Sequence, residues 1–286
     1  MEKAAVFILL GQSNAVGHSL PMDEADKIVA PLTNVFGLSR EENQSYTNTA
    51  LTWSGYTSHG MNLAEEQDHT YSVANCLAQQ WQDAIDGGAA LPDLYIVQIA
   101  IGAQGITPGY MWHPDYPQIL NPGKLGKVKM ALTPFTTNIL ALLKDSIRAR
   151  GAEPEIMGIH WRGGENDFYS GGEVYRPVLK PLYEQIFGSF YQALGEKVPT
   201  VLHKLVCFER PVTEQGLSNL HFINQVFDAL AEENDNISVF DVRQALYYVP
   251  GVPGEGLFKA DFVHFTTEVN QWVADNILRQ YTGLST

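Results

Sequence analysis

Apolar runs of strand length alternate along this chain with amphipathic stretches of helical period. Five runs have the apolar character of buried parallel strands, and they cover residues 4–10, 93–102, 154–161, 200–208 and 237–242. A weaker strand candidate covers residues 34–39. Strands that alternate with helices form mostly parallel sheets with helices on both faces. We therefore predict an α/β fold, a three-layer α/β/α sandwich with a mostly parallel five-stranded sheet.

The stretches between the strands predict five helices. In the first, Val73, Leu77 and Trp81 recur on one face, and a Gly-Gly pair then ends the helix. The five predicted helices cover residues 72–86, 132–150, 174–194, 217–233 and 266–281. Pro177 and Pro181 predict an interruption or a restart in the third helix, because proline lacks the N–H that a helix interior uses.

Two polar stretches break the alternation, at about residues 40–68 and 102–127. Long loops in a compact domain are usually functional or disordered, and ligands of parallel sheets bind beyond the carboxyl ends of the strands. Because both loops follow strands, we expect them to build a site. Their aromatic residues either stack on sugar rings or simply pack the loops: Trp53, Tyr56, Tyr110, Trp112 and Tyr116. The chain shows no internal repeat or linker, so we predict a single domain over residues 1–286.

Composition narrows the classes of partner. The chain has 286 residues, of which 45% are hydrophobic and only 17% charged, which is enough for a large core. Its formal net charge is -14, and an acidic surface repels nucleic acid and anionic membranes. No apolar stretch approaches the ~20 residues of a membrane span. We expect neither a nucleic-acid nor a membrane partner, and a neutral small molecule or polysaccharide as the ligand.

The cysteines and the first residues bear on the compartment. Cys76 and Cys207 lie in apolar patterns, which favours buried free thiols over a disulfide. No Cys/His cluster indicates zinc, and we predict no metal site. The apolar run at residues 4–10 is short for a signal peptide and leads directly into a motif, so we interpret it as a strand. This favours a cytoplasmic protein, with secretion through a signal already removed as the alternative.

Ser13 is the first candidate for chemistry. It follows the first predicted strand immediately, in a turn that contains Gly11. This position places the hydroxyl at the carboxyl edge of the sheet, where a backbone N–H is available to a developing oxyanion. An ordinary helix-capping serine is the competing interpretation. A nucleophilic serine requires a base and an orienting acid elsewhere in the chain.

Asp261 and His264 supply that pair near the other end of the chain. They lie three residues apart, just before the last predicted helix. A base and its orienting carboxylate can be held on one loop at this spacing, so that His264 takes the proton from Ser13 while Asp261 fixes the imidazole tautomer. His264 is favoured over the other seven histidines because a carboxylate and a helix start flank it.

The combined motifs resemble the SGNH-type hydrolases. Gly11-Gln12-Ser13-Asn14 lies near the start of the chain, and Asp261-Phe262-Val263-His264 lies near its end. The more similar subgroup includes carbohydrate acetylesterases and sialate O-acetylesterase-like proteins. The resemblance spans almost the whole chain and implies a flavodoxin-like sheet arrangement, a Ser-His-Asp mechanism and no cofactor.

The resemblance also implies an oxyanion site. The N–H of Ser13 is one donor, and a turn after a central strand, here at Gly102 and Ala103, supplies another. Relatives usually carry two consecutive glycines in this turn. Ala103 keeps its N–H but resists a positive φ, so this position is a departure from the pattern.

A third block departs further. Relatives often have Trp-x-Gln-Gly-Glu-x-Asp after a strand, and the glutamine helps to hold the oxyanion. Here Trp161, Glu165 and Asp167 match, but Gly163 replaces the glutamine. Losing one such donor typically costs about 10²–10³ in rate.

Several explanations for Gly163 stay open. Asn166 or Arg162 replaces the missing donor, which we favour, or a water does so, or the enzyme is slow or takes a different acyl group. We further predict that substrate is bound by Gln12, Trp161, Glu165 and Trp112. The carboxylate pair of Glu165 and Asp167 also permits the hypothesis of a glycosidase. The similarity of residues 161–167 to the third motif of the esterases makes that hypothesis less favourable.

The sequence therefore predicts a serine esterase that removes small acyl groups, O-acetyl in particular, from carbohydrate through an acyl-enzyme. One alternative is a catalytically weak carbohydrate-binding relative of the same fold, which Gly163 favours. The other is a lipid-directed esterase, which the polar loops disfavour because they lack a continuous aliphatic lid.

Overall fold

The computed structural model of the protein describes residues 1–18, 20–118, 130–169, 174–206, 214–250, 253–261 and 263–283. These residues form a seven-stranded sheet in the order β3-β2-β4-β1-β5-β6-β7. The strands are β1 (Glu2–Gly11), β2 (Val35–Leu38), β3 (Trp53–Gly55), β4 (Asp93–Ala100), β5 (Ala152–Arg162), β6 (Thr200–His203) and β7 (Ile237–Phe240). All neighbours pair in parallel except β2 and β3, which are antiparallel.

The predicted class, α/β with a mostly parallel sheet, is confirmed, but the predicted count of five strands was too low. The weaker candidate at residues 34–39 forms β2, and the stretch at residues 40–68 contributes β3 at the sheet edge. A three-residue antiparallel strand carries too few positions for a periodic pattern, which is why the sequence did not reveal it.

The helices are α1 (Ser13–Val16), α2 (Arg40–Asn43), α3 (Val73–Asp86), α4 (Leu132–Arg148), α5 (Glu165–Tyr169), α6 (Arg176–Leu194), α7 (Glu214–Glu233) and α8 (Thr267–Thr282). Helix α3 packs against α8, and α4 packs against α6, which also contacts α7. The predicted interruption of the third long helix is absent, because α6 runs continuously through Pro181. Pro177 stands in its first turn, where a missing N–H costs no helical bond.

The core is built around β1, the middle strand. Its residues 4–10 have no exposed surface, and the strand is covered on both faces. Cys76 is a buried free thiol in α3, whereas Cys207 lies outside the described residues. Within the described ranges, no helix combines the length and the apolarity that crossing a bilayer requires.

Candidate active site

Three of the sequence blocks meet where the middle strands end. Gly11, the last residue of β1, is paired with Ala100 of β4 on one side and with Arg162 of β5 on the other. Ser13, the turn at Gly102 and the segment that begins at Gly163 all follow these three residues directly. The carboxyl edge of the sheet therefore brings together blocks that are far apart in sequence, as expected for a parallel α/β fold.

Gly11 allows the nucleophile loop to turn directly over β5. Its φ is +144°, and a β-carbon there would lie 2.0 Å from the carbonyl oxygen of Arg162. That carbonyl accepts a 3.0 Å hydrogen bond from the N–H of Gln12. Any side chain at position 11 would break this contact, so the close packing of β1 on β5 fixes where Ser13 begins α1.

Asp261 and His264 form a carboxylate–imidazole pair on one tight loop. Asp261 Oδ2 lies 2.9 Å from His264 Nδ1, and Oδ1 accepts the backbone N–H groups of Val263 and His264, each at 3.0 Å. Burial raises the pKa of Asp261, but these hydrogen bonds from His264 and Val263 outweigh it and lower the pKa to about 2. The carboxylate thus stays charged and orients the ring, leaving Nε2 as the nitrogen that can accept a proton.

Ser13 and His264 line one cavity of about 390 Å³. The other lining residues are mostly polar: Gln12, His18, Glu65, Gly102, Ala103, Glu165, Asn166 and Val263. Within the described part of the chain, no hydrogen bond joins the Ser13 hydroxyl to His264. Catalytic hydrogen bonds in substrate-free enzymes are often long and tighten when substrate binds, so a shared cavity suits a nucleophile and its base.

The predicted oxyanion donors differ in their availability. The N–H of Gly102 donates to Glu65 Oε2 at 2.6 Å and is therefore engaged. Ala103 adopts the left-handed φ of +58° that the sequence led us to consider unfavourable for alanine. Among the described residues, the N–H groups of Ser13 and Ala103 have no hydrogen-bond partner. Both are therefore available to an oxyanion.

The two candidates for replacing the glutamine at Gly163 have different surroundings. Asn166 lines the cavity, and its Nδ2 donates to Gln12 Oε1 at 2.7 Å and to the Gln104 carbonyl at 3.2 Å. Arg162 is only 2% exposed and does not line the cavity. Its Nη1 donates to the Asn14 carbonyl, and its guanidinium lies over the Phe265 ring. Of the two, only Asn166 lines the cavity, and both hydrogens of its amide are already donated within the protein.

Glu165 is the centre of a buried network under the nucleophile. Its Oε2 accepts from Gln12 Nε2 at 2.5 Å and its Oε1 from Asn14 Nδ2 at 2.9 Å. Burial raises the pKa of Glu165, and the hydrogen bond from Asn14 opposes that shift. Gln12 and Glu165 were predicted to bind substrate. Both line the cavity, but these polar groups are already paired with each other and with Asn14.

The two tryptophans predicted to bind substrate lie in the core. Trp161 and Trp112 are each 1% exposed, neither lines the cavity, and their rings contact each other edge to face at 5.0 Å. Trp112 Nε1 donates to the Gly11 carbonyl at 2.9 Å. These side chains brace the end of β1 and do not reach a ligand. Loop packing likewise accounts for Trp53 and Tyr56, which are both buried.

Asp167 attaches the turn after β4 to the third block. Its carboxylate accepts the N–H groups of Ile106 and Thr107, each at 2.9 Å. A β-carbon at Gly105 would lie 2.5 Å from Asp167 Oδ1, so only glycine allows this approach. Burial raises the pKa of Asp167 to about 6. Asp167 thus has a structural role, because it holds the turn after β4, and it is not one of a pair of glycosidase acids.

Three residues at the site were not singled out from the sequence. Asn14 belongs to the first motif but was given no role, and it bonds both Glu165 and the loop of His264. His18 stacks on His264 with ring centroids 5.2 Å apart, and Glu65 pairs with His18. No local pattern marks Glu65, since it reaches the site only through folding of the stretch at residues 40–68. Within the described ranges, no three His, Cys, Asp or Glu side chains are grouped to hold a metal.

No protein-family model and no curated protein matches the sequence. Solved structures do share its fold. NanS matches with a TM-score of 0.64 at 14% identity over 99% of both chains, and a protein from Arabidopsis thaliana with 0.61 at 14% identity over 98% of both. A carbohydrate acetylesterase from Xanthomonas citri matches with 0.53 at 14% identity, over 98% of this chain and 57% of its own. The fold expected from the resemblance to SGNH-type hydrolases is therefore confirmed.

Proposed function

We propose that this protein is a serine esterase that removes small acyl groups, O-acetyl in particular, from carbohydrate. The observation that carries the proposal is the Asp261–His264 pair, joined at 2.9 Å, which shares a cavity with Ser13. A serine beside an imidazole that a carboxylate orients is the arrangement that activates a hydroxyl for acyl transfer.

The reaction proceeds in two acyl-transfer steps. His264 Nε2 takes the proton of Ser13 as its oxygen attacks the ester carbonyl, and the imidazolium then protonates the departing sugar oxygen. Water, deprotonated by the same imidazole, hydrolyses the acyl-enzyme and releases the carboxylic acid. The N–H groups of Ser13 and Ala103 would receive the oxyanion, and each such donor contributes roughly 10²–10³ in rate.

The cavity supports a small acyl group and a polar alcohol. Its volume of about 390 Å³ is ordinary for a small-molecule site and accommodates a small acyl group. Most of its lining side chains are polar or charged, and it lacks the aliphatic wall that a lipid chain would need. The shared fold with a carbohydrate acetylesterase agrees with this proposal. A lipid-directed esterase is the less favourable alternative.

One observation favours a second candidate, a catalytically weak carbohydrate-binding relative. Gly163 contributes no side-chain donor, and the Gly102 N–H is engaged by Glu65. A protein that only binds sugar, however, has no need of the carboxylate-oriented base at His264. We therefore keep hydrolysis as the proposal.

The decisive experiment measures acetate release from 4-nitrophenyl acetate and from acetylated xylo-oligosaccharides. We expect hydrolysis of both by the wild type, and a loss of several orders of magnitude in Ser13→Ala and His264→Gln. Ser189→Ala is the matched control, because Ser189 lies in α6, away from the cavity, and its hydroxyl donates to the Ile186 carbonyl. Hydrolysis that Ser13→Ala leaves unchanged would refute the proposal, and preference for long-chain esters would support the lipid alternative.

A further inference from the structure

The carboxylate of Glu65 accepts a hydrogen bond from the backbone N–H of Gly102 at the edge of the cavity. Glu65 Oε2 is 2.6 Å from the nitrogen of Gly102, and Glu65 lines the same cavity as Ser13 and His264. The Gly102 N–H is one of the donors expected to receive the oxyanion. An anionic oxygen thus already occupies a position that the substrate oxygen requires.

We propose that Glu65 is a positioning residue that fills the oxyanion site of the substrate-free protein and yields it to the acyl oxygen, while His18 holds the displaced carboxylate. This inference rests on the proposed esterase function and deepens it. It assigns roles to Glu65 and His18 that neither the motifs nor the comparisons provide.

The turn is built to bind an anionic oxygen. Ala103 has a φ of +58°, and a left-handed residue in a turn lets successive N–H groups point into one concavity, which is a common way to bind anions. A carboxylate oxygen and the oxygen of a tetrahedral intermediate present the same charge to these donors. The contact with Glu65 therefore shows the turn with an anion in place.

Only the side chain of Glu65 has to move. Its backbone carbonyl accepts Arg40 Nη1 at 2.8 Å, and Arg40 is itself paired with Asp68, so the segment is anchored. The Glu65 side chain retains 22% of its exposure and borders the open cavity. A rotation of the side chain frees the Gly102 N–H without disturbing the loop.

His18 provides a partner for the displaced carboxylate. His18 Nε2 lies 3.5 Å from Glu65 Oε1, the oxygen that does not contact Gly102. The hydrogen bond from His18 to Glu65 raises the pKa of His18, which burial opposes; Asp261 also raises it, and Lys259 lowers it. The ring of His264 stacks on the ring of His18. When Glu65 leaves Gly102, its Oε1 keeps the contact with His18, so the carboxylate is not left unpaired.

The exchange has a consequence for the product. Acetate, the acid released by deacylation, would bind the same N–H through its own carboxylate and compete with Glu65. Glu65 therefore helps to expel the product and limits inhibition by it. Removing the Glu65 charge should strengthen acetate binding about tenfold, the size of one charge-assisted hydrogen bond.

The test measures acetate affinity by NMR titration in the wild type, Glu65→Gln and Glu65→Ala. Glu66→Gln is the matched control, because Glu66 is exposed and borders a neighbouring cavity. We expect the Kd for acetate to fall about tenfold in both Glu65 variants and to stay unchanged in the control. With 4-nitrophenyl acetate, KM should fall in the Glu65 variants, which the loss of a merely structural contact would not cause.

The opposite pattern would overturn the proposal. If Glu65 merely braces the turn, kcat and Tm fall in Glu65→Gln and acetate affinity does not rise. Because the titration needs no turnover, this failure is distinct from failure of the esterase proposal, which would appear as hydrolysis independent of Ser13.

A double-mutant comparison tests His18. In the wild-type background, His18→Asn should lower kcat/KM, because Glu65 then stays on Gly102. In the Glu65→Ala background, the same substitution should have no further effect on kcat/KM. An equal effect of His18→Asn in both backgrounds would show that His18 acts independently of Glu65 and would refute its part in the exchange.

Discussion

Asn14 donates its side-chain amide to the buried carboxylate of Glu165, with Nδ2 2.9 Å from Oε1. The same amide also contacts the loop of the base, because Nδ2 lies 3.3 Å from the Val263 carbonyl and Oδ1 accepts the Phe265 N–H at 3.3 Å. Val263 and Phe265 flank His264. Asn14 therefore ties together the turn at Ser13, the segment of Glu165 and the loop of His264.

Asn14→Ala should lower both stability and kcat. The buried Glu165 carboxylate would lose a donor, which costs about 1.5–3 kcal/mol, and the segment around His264 would lose its attachment to α1. Asn14→Asp should be worse, since it places a second negative charge against Glu165, and Glu165→Gln should partly restore it. Urea unfolding and steady-state kinetics measure both effects.

Asn276→Ala is the control for this prediction. Asn276 also makes one side-chain hydrogen bond, to the Trp272 carbonyl within α8, but lies away from the cavity. It should leave kcat unchanged. Wild-type stability and kcat in Asn14→Ala would contradict the role given to Asn14.

The pH dependence should separate Asp261 from its histidine. The folded pKa of Asp261 is lowered to about 2, below the 3.8 of a free aspartate, so its stabilising contribution is present above pH 3.8 and is lost as the pH falls toward 2. Activity should also fall on the acid side, because a protonated imidazole cannot act as a base.

The measurement is a pH profile of kcat/KM beside a pH profile of Tm. Asp261→Asn should lower kcat by about 10⁴, because the imidazole loses the partner that fixes its tautomer, and should flatten the loss of stability between pH 4 and 2. A rate that stays level down to about pH 4 would contradict a histidine base.

Ala103→Gly should stabilise the protein. A left-handed φ costs an alanine about 1–2 kcal/mol, which glycine would relieve. The greater freedom of glycine in the unfolded chain offsets about 0.5–1 kcal/mol of this stabilisation. The net increase in the free energy of unfolding should be about 0.5–1 kcal/mol. Ala103→Val should destabilise the protein, since a β-branched side chain tolerates φ of +58° least. A lower Tm for Ala103→Gly than for the wild type would refute this account.

Gly105→Ala should destabilise the protein through contact with Asp167. The new β-carbon would lie 2.5 Å from Asp167 Oδ1, which the N–H groups of Ile106 and Thr107 hold in place. Overpacking of this kind costs about 1–3 kcal/mol. Thermal unfolding measures the loss.

Gly188→Ala offers a control of opposite sign. Gly188 lies inside α6, and a β-carbon there meets no atom within 4 Å. Alanine should raise the free energy of unfolding by up to about 1 kcal/mol, the difference in helix propensity. Equal effects of the two substitutions would contradict the proposed contact with Asp167.

The parts of the fold that could be predicted are those with long local patterns of apolar residues in the sequence. The buried run at residues 4–10 is apolar because β1 is covered on both faces, and α3 shows its buried side as a periodic stripe. The edge strand β3 has three residues and pairs only with β2, so its identity depends on a neighbour and not on its own pattern.

The candidate site likewise combines residues that local motifs indicate with contacts that only long-range folding creates. Ser13, Asp261 and His264 could be nominated because each lies in a short motif beside a strand or a helix, and the structure places Ser13 and His264 at one cavity. The tryptophans could not be placed, because neither the loop around Trp112 nor the end of β5 at Trp161 reveals in the sequence which way an aromatic side chain points. Trp112 and Trp161 pack on each other. The approach of Glu65 to Gly102 depends on long-range folding and leaves no trace in either segment.

The hydrogen bond between Asn14 and Val263 spans 249 positions of the chain. Ser13 and its proposed base, His264, thus come from segments that are far apart in sequence. Until these segments have docked, Ser13 has no proton acceptor beside it, and we expect no hydrolysis. Recovery of activity after refolding would accordingly report closure of the whole chain, later than signals from β1 and its neighbours.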